Sequence, residues 1–286
     1  MVSRQQWLQE WLQNSLKHSS KAQKKAQKFA ATLCCAFALS LGGGLGGGLV
    51  GAQRAQAASP DTAPAELTTA IANIEAAASA RDVSAAMAGY GATFTNEDGF
   101  TYETLEAALT TLWSRYETLT YRVELQSWEP TEGGFIAETV TYADGTQIVD
   151  GQSMVLESVI RSRQTYEDGK VVAQSILSER NQVTSGDQPP TVSVILAEQV
   201  TPGEQYDFDA IVVEPLGNRY LLGAAVEEGT TATDFFTGRP VELELLSAGG
   251  LFKIGEAPAT PDSRWVSALL VREDGLTVVT RRLQVN

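Results

Sequence analysis

Beyond residue 60, apolar residues first recur at helical spacing. Leu67, Ile71 and Ile74 lie three to four positions apart, which predicts an amphipathic helix. Asp82 is a typical N-cap for a second, shorter helix, and Thr101 is a suitable start for a third. The apolar positions of these two helices are, in order, Val83, Ala86, Met87 and Tyr90, then Leu105, Leu109, Leu112, Trp113 and Tyr116.

The period changes to two after residue 118. Leu119, Tyr121 and Val123 alternate with polar residues, which predicts a half-buried strand. Three more strands are predicted near 134–143, 150–166 and 170–181, because Gly-containing turns typical of hairpins separate them. Helices followed by an antiparallel meander predict an α+β domain over residues 58–183, with three helices on one face of a curved four-stranded sheet.

A Ser-, Gly- and Pro-rich stretch at 184–190 is predicted to be a linker. The remaining residues, 191–286, contain short strand patterns and no helical period. About seven strands in this length favour an all-β sandwich of immunoglobulin-like type, although the Cys and Trp signature of true immunoglobulins is missing. The strands are predicted near 191–197, 205–214, 219–226, 241–247, 250–255, 264–272 and 276–285.

The N-terminal residues have the order of a secretory signal peptide. A basic stretch, 1–28, precedes an apolar and Gly-rich stretch, 29–52, and small residues surround a cut after Ala57. This pattern predicts a signal peptide over 1–57 and export across the inner membrane to the periplasm, the thylakoid lumen or the cell exterior. The alternative is an uncleaved anchor, since the apolar stretch is long enough to span a bilayer, but its glycines make a poor helix.

Charge and composition exclude several functions for the exported part. Both cysteines, the one histidine, His18, and seven of the 21 Lys and Arg residues precede the predicted cut, which leaves 14 basic and 34 acidic residues and changes the net charge from −14 to −20. Such a surface does not suit nucleic acid or anionic lipid. Without His or Cys, zinc binding and Ser-His-Asp or Cys-His catalysis are excluded. No calcium-loop spacing is present, so we expect neither a metal nor a cofactor.

Several short segments carry a family resemblance: Ala80-Arg81-Asp82-Val83, Tyr90 with Phe94, Asn96-Glu97-Asp98-Gly99, Thr101-Tyr102-Glu103, and Leu112-Trp113-Ser114-Arg115-Tyr116. With the order of helices and strands, they make residues 61–182 resemble the nuclear transport factor 2-like superfamily, which includes ketosteroid isomerase and SnoaL-like proteins. The resemblance implies a conical cavity between helices and sheet, proton transfer by a carboxylate or His in its enzymes, and frequent homodimers. Three segments of the second half, Glu214-Pro215-Leu216-Gly217, Ser247-Ala248-Gly249-Gly250-Leu251-Phe252-Lys253 and Trp265-Val266-Ser267-Ala268-Leu269-Leu270-Val271-Arg272, make it resemble the C-terminal module of exported cyanobacterial proteins that pair it with such a domain.

Two carboxylates are candidates for acid–base chemistry, Asp98 and Glu138. Glu138 shares strand parity with Val140 and Tyr142, so it is either turned toward an apolar surface or, if the opposite parity is buried, exposed. Asp98 is either a site residue or the turn former before Gly99. Aromatic residues are either core or pocket lining: Tyr90, Tyr102, Trp113, Tyr116, Tyr121, Trp128 and Tyr142.

These observations favour an exported, non-catalytic binding or scaffolding protein. Its first domain is expected to hold a small apolar ligand or a protein partner, or to form a homodimer. The alternative is a cofactor-free isomerase, dehydratase or hydrolase of SnoaL-like type that uses a buried carboxylate with a Tyr. A third interpretation is a purely structural part of an envelope or lumenal assembly.

Overall fold

The computed structural model of the chain describes residues 57–232 and 241–286. The predicted signal peptide lies outside the described residues except for Ala57. No helix within the described ranges is long and apolar enough to cross a membrane.

Three α-helices lie where the spacing of apolar residues predicts them: α1 (Ala65–Ala80), α2 (Val83–Met87) and α3 (Tyr102–Trp113). Asp82 caps α2, since its Oδ1 accepts the Ala85 N–H at 3.0 Å. Thr101 begins α3 with a capping box, in which side chains satisfy the free N–H groups of the first turn.

Strands make up most of the structure. In the first half they are β1 (Tyr90–Asn96), β2 (Thr118–Pro130), β3 (Gly134–Val149), β4 (Gln152–Glu167) and β5 (Lys170–Gly186). In the second half they are β6 (Val192–Leu196), β7 (Gln199–Val200), β8 (Gln205–Val212), β9 (Leu222–Gly229), β10 (Glu244–Leu245), β11 (Gly250–Glu256), β12 (Asp262–Arg272) and β13 (Gly275–Val285).

One sheet runs through both halves of the chain, and the prediction of a helix-covered cone followed by a separate immunoglobulin-like sandwich is wrong. The strand order is β10-β9-β12-β13-β5-β4-β3-β2, with β1 beside β5 and β7 beside β13. The last strand, β13, pairs antiparallel with the C-terminal half of β5. Within the described residues, β11, β8 and β6 form a second, three-stranded sheet.

The length of β5 explains this continuity. Its first residues pair with β1 and its last residues, 180–186, pair with β13, while β4 runs along its other side. The predicted linker 184–190 therefore begins inside a strand. Tyr90, expected on the face of the second helix, instead begins β1 and pairs in parallel with Val171.

The strand β12 joins two hydrophobic cores. Trp265 and Leu269 belong to the core between the helices and the sheet. Val266, Ala268 and Leu270 point the other way, into the core beneath the three-stranded sheet. Because both faces are covered, six consecutive residues, 265–270, are buried, which is the pattern of a central strand rather than of one face of a two-sheet sandwich.

Candidate functional site

A cavity of about 60 Å³ lies between the helices and the first half of the sheet. It is small beside the ~300–1,000 Å³ of pockets that take drug-sized ligands. Most of its wall is apolar or aromatic, and its sheet side also presents amides and hydroxyls. The lining residues are Ile71, Ile74, Glu75, Ala78, Ala86, Tyr90, Leu109, Trp113, Tyr121, Val123, Thr141, Ile160, Ser162, Gln164, Tyr166 and Gln174.

Strand alternation places the residues of the cavity floor. Ile160, Ser162, Gln164 and Tyr166 occupy every second position of β4, so their side chains lie on the face that the helices cover. Of the intervening residues, Arg161 and Arg163 are exposed on the other face and Thr165 is half-buried. From the next strand, Gln174 contributes a buried side chain. The floor therefore combines apolar groups with three polar side chains.

Aromatic side chains form one end of the cavity. The Trp113 indole N–H donates to the Tyr121 hydroxyl at 2.9 Å, and the two rings meet edge to face with centroids 6.2 Å apart. Burial raises the pKa of Tyr90 to about 12. Burial also raises the pKa of Tyr121, against the opposing effect of the Trp113 hydrogen bond, and the pKa of Tyr166. These phenols therefore stay protonated at neutral pH.

Some polar groups of the cavity floor have hydrogen-bond partners and one does not. The Tyr166 hydroxyl donates to Gln164 Oε1 at 2.7 Å, and Ser162 Oγ lies 3.1 Å from Thr139 Oγ1. Gln174 Oε1 is buried and accepts no hydrogen bond. An unsatisfied buried acceptor costs about 1–3 kcal/mol. Among the lining side chains that the structure describes, this oxygen is the one fully buried polar atom without a hydrogen-bond partner.

Glu75 is the single carboxylate among the lining residues. It extends from α1 to the free edge of β2, where its Oε2 accepts the Val123 N–H at 2.7 Å. Ser79, one helical turn later, bonds the Tyr121 N–H at 2.9 Å and the Tyr121 carbonyl at 3.1 Å. Side chains of α1 thus satisfy backbone groups that an edge strand leaves unpaired.

Asp98 does not line this cavity. It is buried between β1 and α3, where both of its carboxylate oxygens accept from Arg282, with Nη1–Oδ1 3.2 Å and Nη2–Oδ2 2.7 Å. The Thr230 hydroxyl also donates to Oδ1, and the Asp98 carbonyl accepts the Ala232 N–H at 2.8 Å. All these partners come from the second half of the chain, so Asp98 connects the two halves.

A second carboxylate faces the same guanidinium. Glu179 Oε2 lies 3.5 Å from Arg282 Nε and accepts the Trp265 indole N–H at 2.8 Å. Its Oε1 accepts the Asn181 side-chain amide at 2.6 Å. Burial raises the pKa of Glu179, although Arg282, Trp265 and Asn181 each act to lower it. Burial acts to lower the pKa of Arg282, but the charges of Asp98 and Glu179 outweigh it and raise that pKa.

Glu138 lies on the face of the sheet that the helices do not cover. Its carboxylate pairs with Arg161 across the strands, with Oε2–Nη2 2.8 Å, and lies 3.9 Å from Arg163. Both arginines are largely exposed. The geometry therefore separates Glu138 from the cavity and from Asp98.

The aromatic candidates fall into two groups. Tyr90, Trp113 and Tyr121 line the cavity, whereas the other four do not. Tyr116 is buried in the core and Tyr102 is half-buried at the start of α3. Trp128 donates to the Ser59 carbonyl and stacks edge to face on Phe135. Tyr142 lies on the outward face with the Arg122 guanidinium 3.9 Å above its ring.

Sequence reasoning missed Gln174, Tyr166, Glu179 and Arg282. For the two charged residues the signal would be a charge inside an apolar strand, since a buried charge needs a partner of opposite sign. Their neighbours hide it, because Glu179 lies between Ser178 and Arg180 and Arg282 follows Arg281. Gln174 carries no such signal, because its burial depends on the position of β1 and the helices. No cluster of His, Cys, Asp and Glu suited to a metal ion is found in the ranges that the structure describes.

Residues 187–286 match a family described as Domain of unknown function (DUF8623), which covers the part of the chain from the end of β5 onward. No curated protein matches the chain.

Among the solved structures that match, two are each similar to 39% of this chain with a TM-score of 0.28. One is Bd1075 of Bdellovibrio bacteriovorus, at 17% identity over 40% of its own length. The other is an LEH-like epoxide hydrolase of M. tuberculosis, at 14% identity over 80% of its length. Scores this low support no conclusion about the chemistry of this chain, and membership of the nuclear transport factor 2-like superfamily stays a prediction.

Proposed function

We propose that this chain is an exported, non-catalytic binding protein whose helix-covered cavity holds a small, mostly apolar molecule with one hydrogen-bond donor. The observation that carries the proposal is the buried Gln174 Oε1, which accepts no hydrogen bond within a cavity whose wall is mostly apolar and aromatic. A ligand O–H or N–H at this oxygen removes the cost of the unsatisfied acceptor. The predicted relation of residues 61–182 to nuclear transport factor 2-like proteins belongs to the same proposal.

The cavity wall sets the size and character of the ligand. Ile71, Ile74, Leu109 and Ile160 offer aliphatic contacts, and Trp113 adds an aromatic one. A volume of about 60 Å³ holds about four water molecules by the usual minimum of ~10–15 Å³ for each. A ligand of a few heavy atoms therefore fits without movement of the helices, and a larger one requires it.

The chemistry of the lining supports binding rather than catalysis. The described residues contain neither His nor Cys, and the buried phenols of Tyr90, Tyr121 and Tyr166 have raised pKa values, so they do not act as bases at neutral pH. Glu75 holds the β2 backbone through one of its oxygens. Moving a proton with Glu75 would weaken a contact that joins α1 to the sheet.

Isopropanol and acetone test the proposal, because they have the same size and only isopropanol donates a hydrogen bond. We expect isopropanol to shift the Trp113 indole N–H resonance saturably, with a Kd of about millimolar, since small ligands gain at most about 1.5 kcal/mol per heavy atom. Acetone is expected to bind several-fold more weakly. The Trp128 indole, which does not line the cavity, is the control resonance.

A matched pair of variants locates the binding. Ala78→Leu fills the cavity from α1 and is expected to abolish the isopropanol shift, whereas Ala76→Leu changes an exposed position of the same helix and is expected to leave it unchanged. A non-saturable shift, or equal binding of the two probes, contradicts the proposal.

One observation favours a second function, a cofactor-free isomerase, dehydratase or hydrolase. Glu75 places a carboxylate in the cavity wall, and its Oε1 accepts no hydrogen bond within the described residues. A carboxylate beside an apolar cavity is a suitable general base. Turnover by the purified protein that Glu75→Gln abolishes, while isopropanol binding is retained, would support this function over the first.

A further inference from the structure

A second cavity, of about 180 Å³, lies where β5 and β13 separate. The two strands pair from Gly186 back to Arg180 and then diverge. The Gln284 side chain bridges the gap, donating to the Ile176 carbonyl at 2.8 Å and the Leu177 carbonyl at 3.3 Å. The cavity is polar, and the charged or hydroxyl side chains that line it are Ser178, Glu179, Arg180, Glu198, Arg281 and Arg282.

Three guanidinium groups border this cavity, and two of them have carboxylate partners. Arg180 pairs with Glu198 at 2.9 Å. Arg282 pairs with Asp98 at 2.7 Å and lies 3.5 Å from Glu179. Both oxygens of Glu179 already accept hydrogen bonds from buried donors. Its negative charge therefore balances Arg282 and not Arg281.

Arg281 is the guanidinium without a carboxylate. Its Nη1 donates to the carbonyls of Thr280 at 2.9 Å and Asn181 at 3.4 Å, and it has no ion pair within the described ranges. It lies directly across the strands from Arg180, and like charges at such positions repel each other. Burial and the charge of Arg180 lower the pKa of Arg281 to about 10.

We propose that this cavity binds a small oxyanion, held by Arg281 and Arg180 with the Ser178 hydroxyl. The anion supplies the negative charge that Arg281 lacks and reduces the repulsion between the two cross-strand arginines. Guanidinium groups suit this role, because their planar donors match the oxygens of carboxylate, sulfate and phosphate. The site is separate from the cavity that contains Gln174.

Titration with inorganic phosphate, sulfate and acetate, followed by calorimetry at constant ionic strength, tests this site. We expect saturable binding of at least one of the three, and the one that binds defines the geometry of the anion. Arg281→Gln keeps donors for the two carbonyls and removes the charge, so we expect binding to weaken at least about tenfold, the equivalent of one charged hydrogen bond. Arg115→Gln makes the same change of net charge at an exposed position outside the lining and is expected to have no effect.

A second variant does not alter the arginines. Ala197→Glu adds a carboxylate to an exposed loop of the cavity wall and is expected to abolish anion binding by pairing with Arg281. Ala72→Glu, on the exposed face of α1, is its control. Absence of saturable binding for all three anions overturns the proposal, and so does equal affinity in Arg281→Gln and the unchanged protein.

Discussion

Arg282, on the last strand, forms a bidentate ion pair with Asp98, 184 residues earlier in the chain. Both side chains are almost completely buried. The pair joins the loop before α3 to β13 and lies beside Glu179, so it fixes the second half of the chain against the first. Asp98 therefore has a clear structural role, and its substitution should affect stability.

Substitution of Asp98 by Ala leaves a buried arginine facing only Glu179. Breaking a buried ion pair costs about 3–5 kcal/mol, so we expect the free energy of unfolding in urea to fall by about that amount. Glu138→Ala is the matched control. Its partner Arg161 is exposed, and such pairs contribute about 0–1 kcal/mol. Similar losses for the two variants would argue against this role of Asp98.

Glu179 should make stability depend on pH in the direction opposite to most carboxylates. Its pKa in the folded protein is raised above the ordinary value of 4.5, so between those two values the folded state binds more protons than the unfolded state. The free energy of unfolding therefore falls as the pH rises through this window. We expect the stability difference between the unchanged protein and Glu179→Gln to fall from pH 4.5 upward, measured by urea unfolding at several pH values. A difference that is constant or rises with pH contradicts this assignment.

Substitution of two glutamines in the first cavity should change the free energy of unfolding in opposite directions. Gln174→Leu removes a buried acceptor without a partner, and we expect it to raise the free energy of unfolding by about 1 kcal/mol in the absence of ligand. Gln164→Leu removes the acceptor of the Tyr166 hydroxyl and is expected to lower it by about 1–3 kcal/mol. Thermal and urea unfolding measure both. A loss of stability in Gln174→Leu would mean that this oxygen is satisfied in solution.

The continuous sheet predicts that the two halves unfold together. Trp113 reports on the helices and Trp265 on β12, and both belong to one hydrophobic core. Within each variant that keeps only one of these tryptophans, we expect fluorescence and far-UV circular dichroism to give the same urea midpoint, because β13 and β5 share their backbone hydrogen bonds. Two separate midpoints would instead indicate independent domains.

The sequence predicted local structure better than assembly. Helical spacing and the caps at Asp82 and Thr101 are local signals, and the helices lie at the predicted positions. The pairing of β13 with β5 depends on residues about 100 positions apart, and nothing in the spacing of either strand specifies that partner. The run Trp265–Leu270 is buried on both faces, and such a run indicates a central strand. This pattern in the sequence argues against a separate sandwich.

The candidate site was less predictable than the fold. Strand parity alone does not decide which face Glu138 lies on, because β3 has apolar residues at both parities, Phe135 and Ala137 at one and Ile136 and Val140 at the other. The structure places Glu138 on the outward face beside Arg161. Gln174 became part of a cavity only through packing between distant elements. Tyr90, Trp113 and Tyr121 do line that cavity, since large aromatic residues at predicted core positions often border the space that packing leaves.

The most direct test of the account is an isotope-edited NMR measurement of nuclear Overhauser effects between bound isopropanol and the protein. We expect the isopropanol methyl groups to give cross-peaks to the methyls of Ile71, Ile74 and Ile160, and the side-chain amide of Gln174 to shift on binding. Binding that gives contacts only to exposed residues, or no saturable binding at all, would contradict the assignment of this cavity as the ligand site.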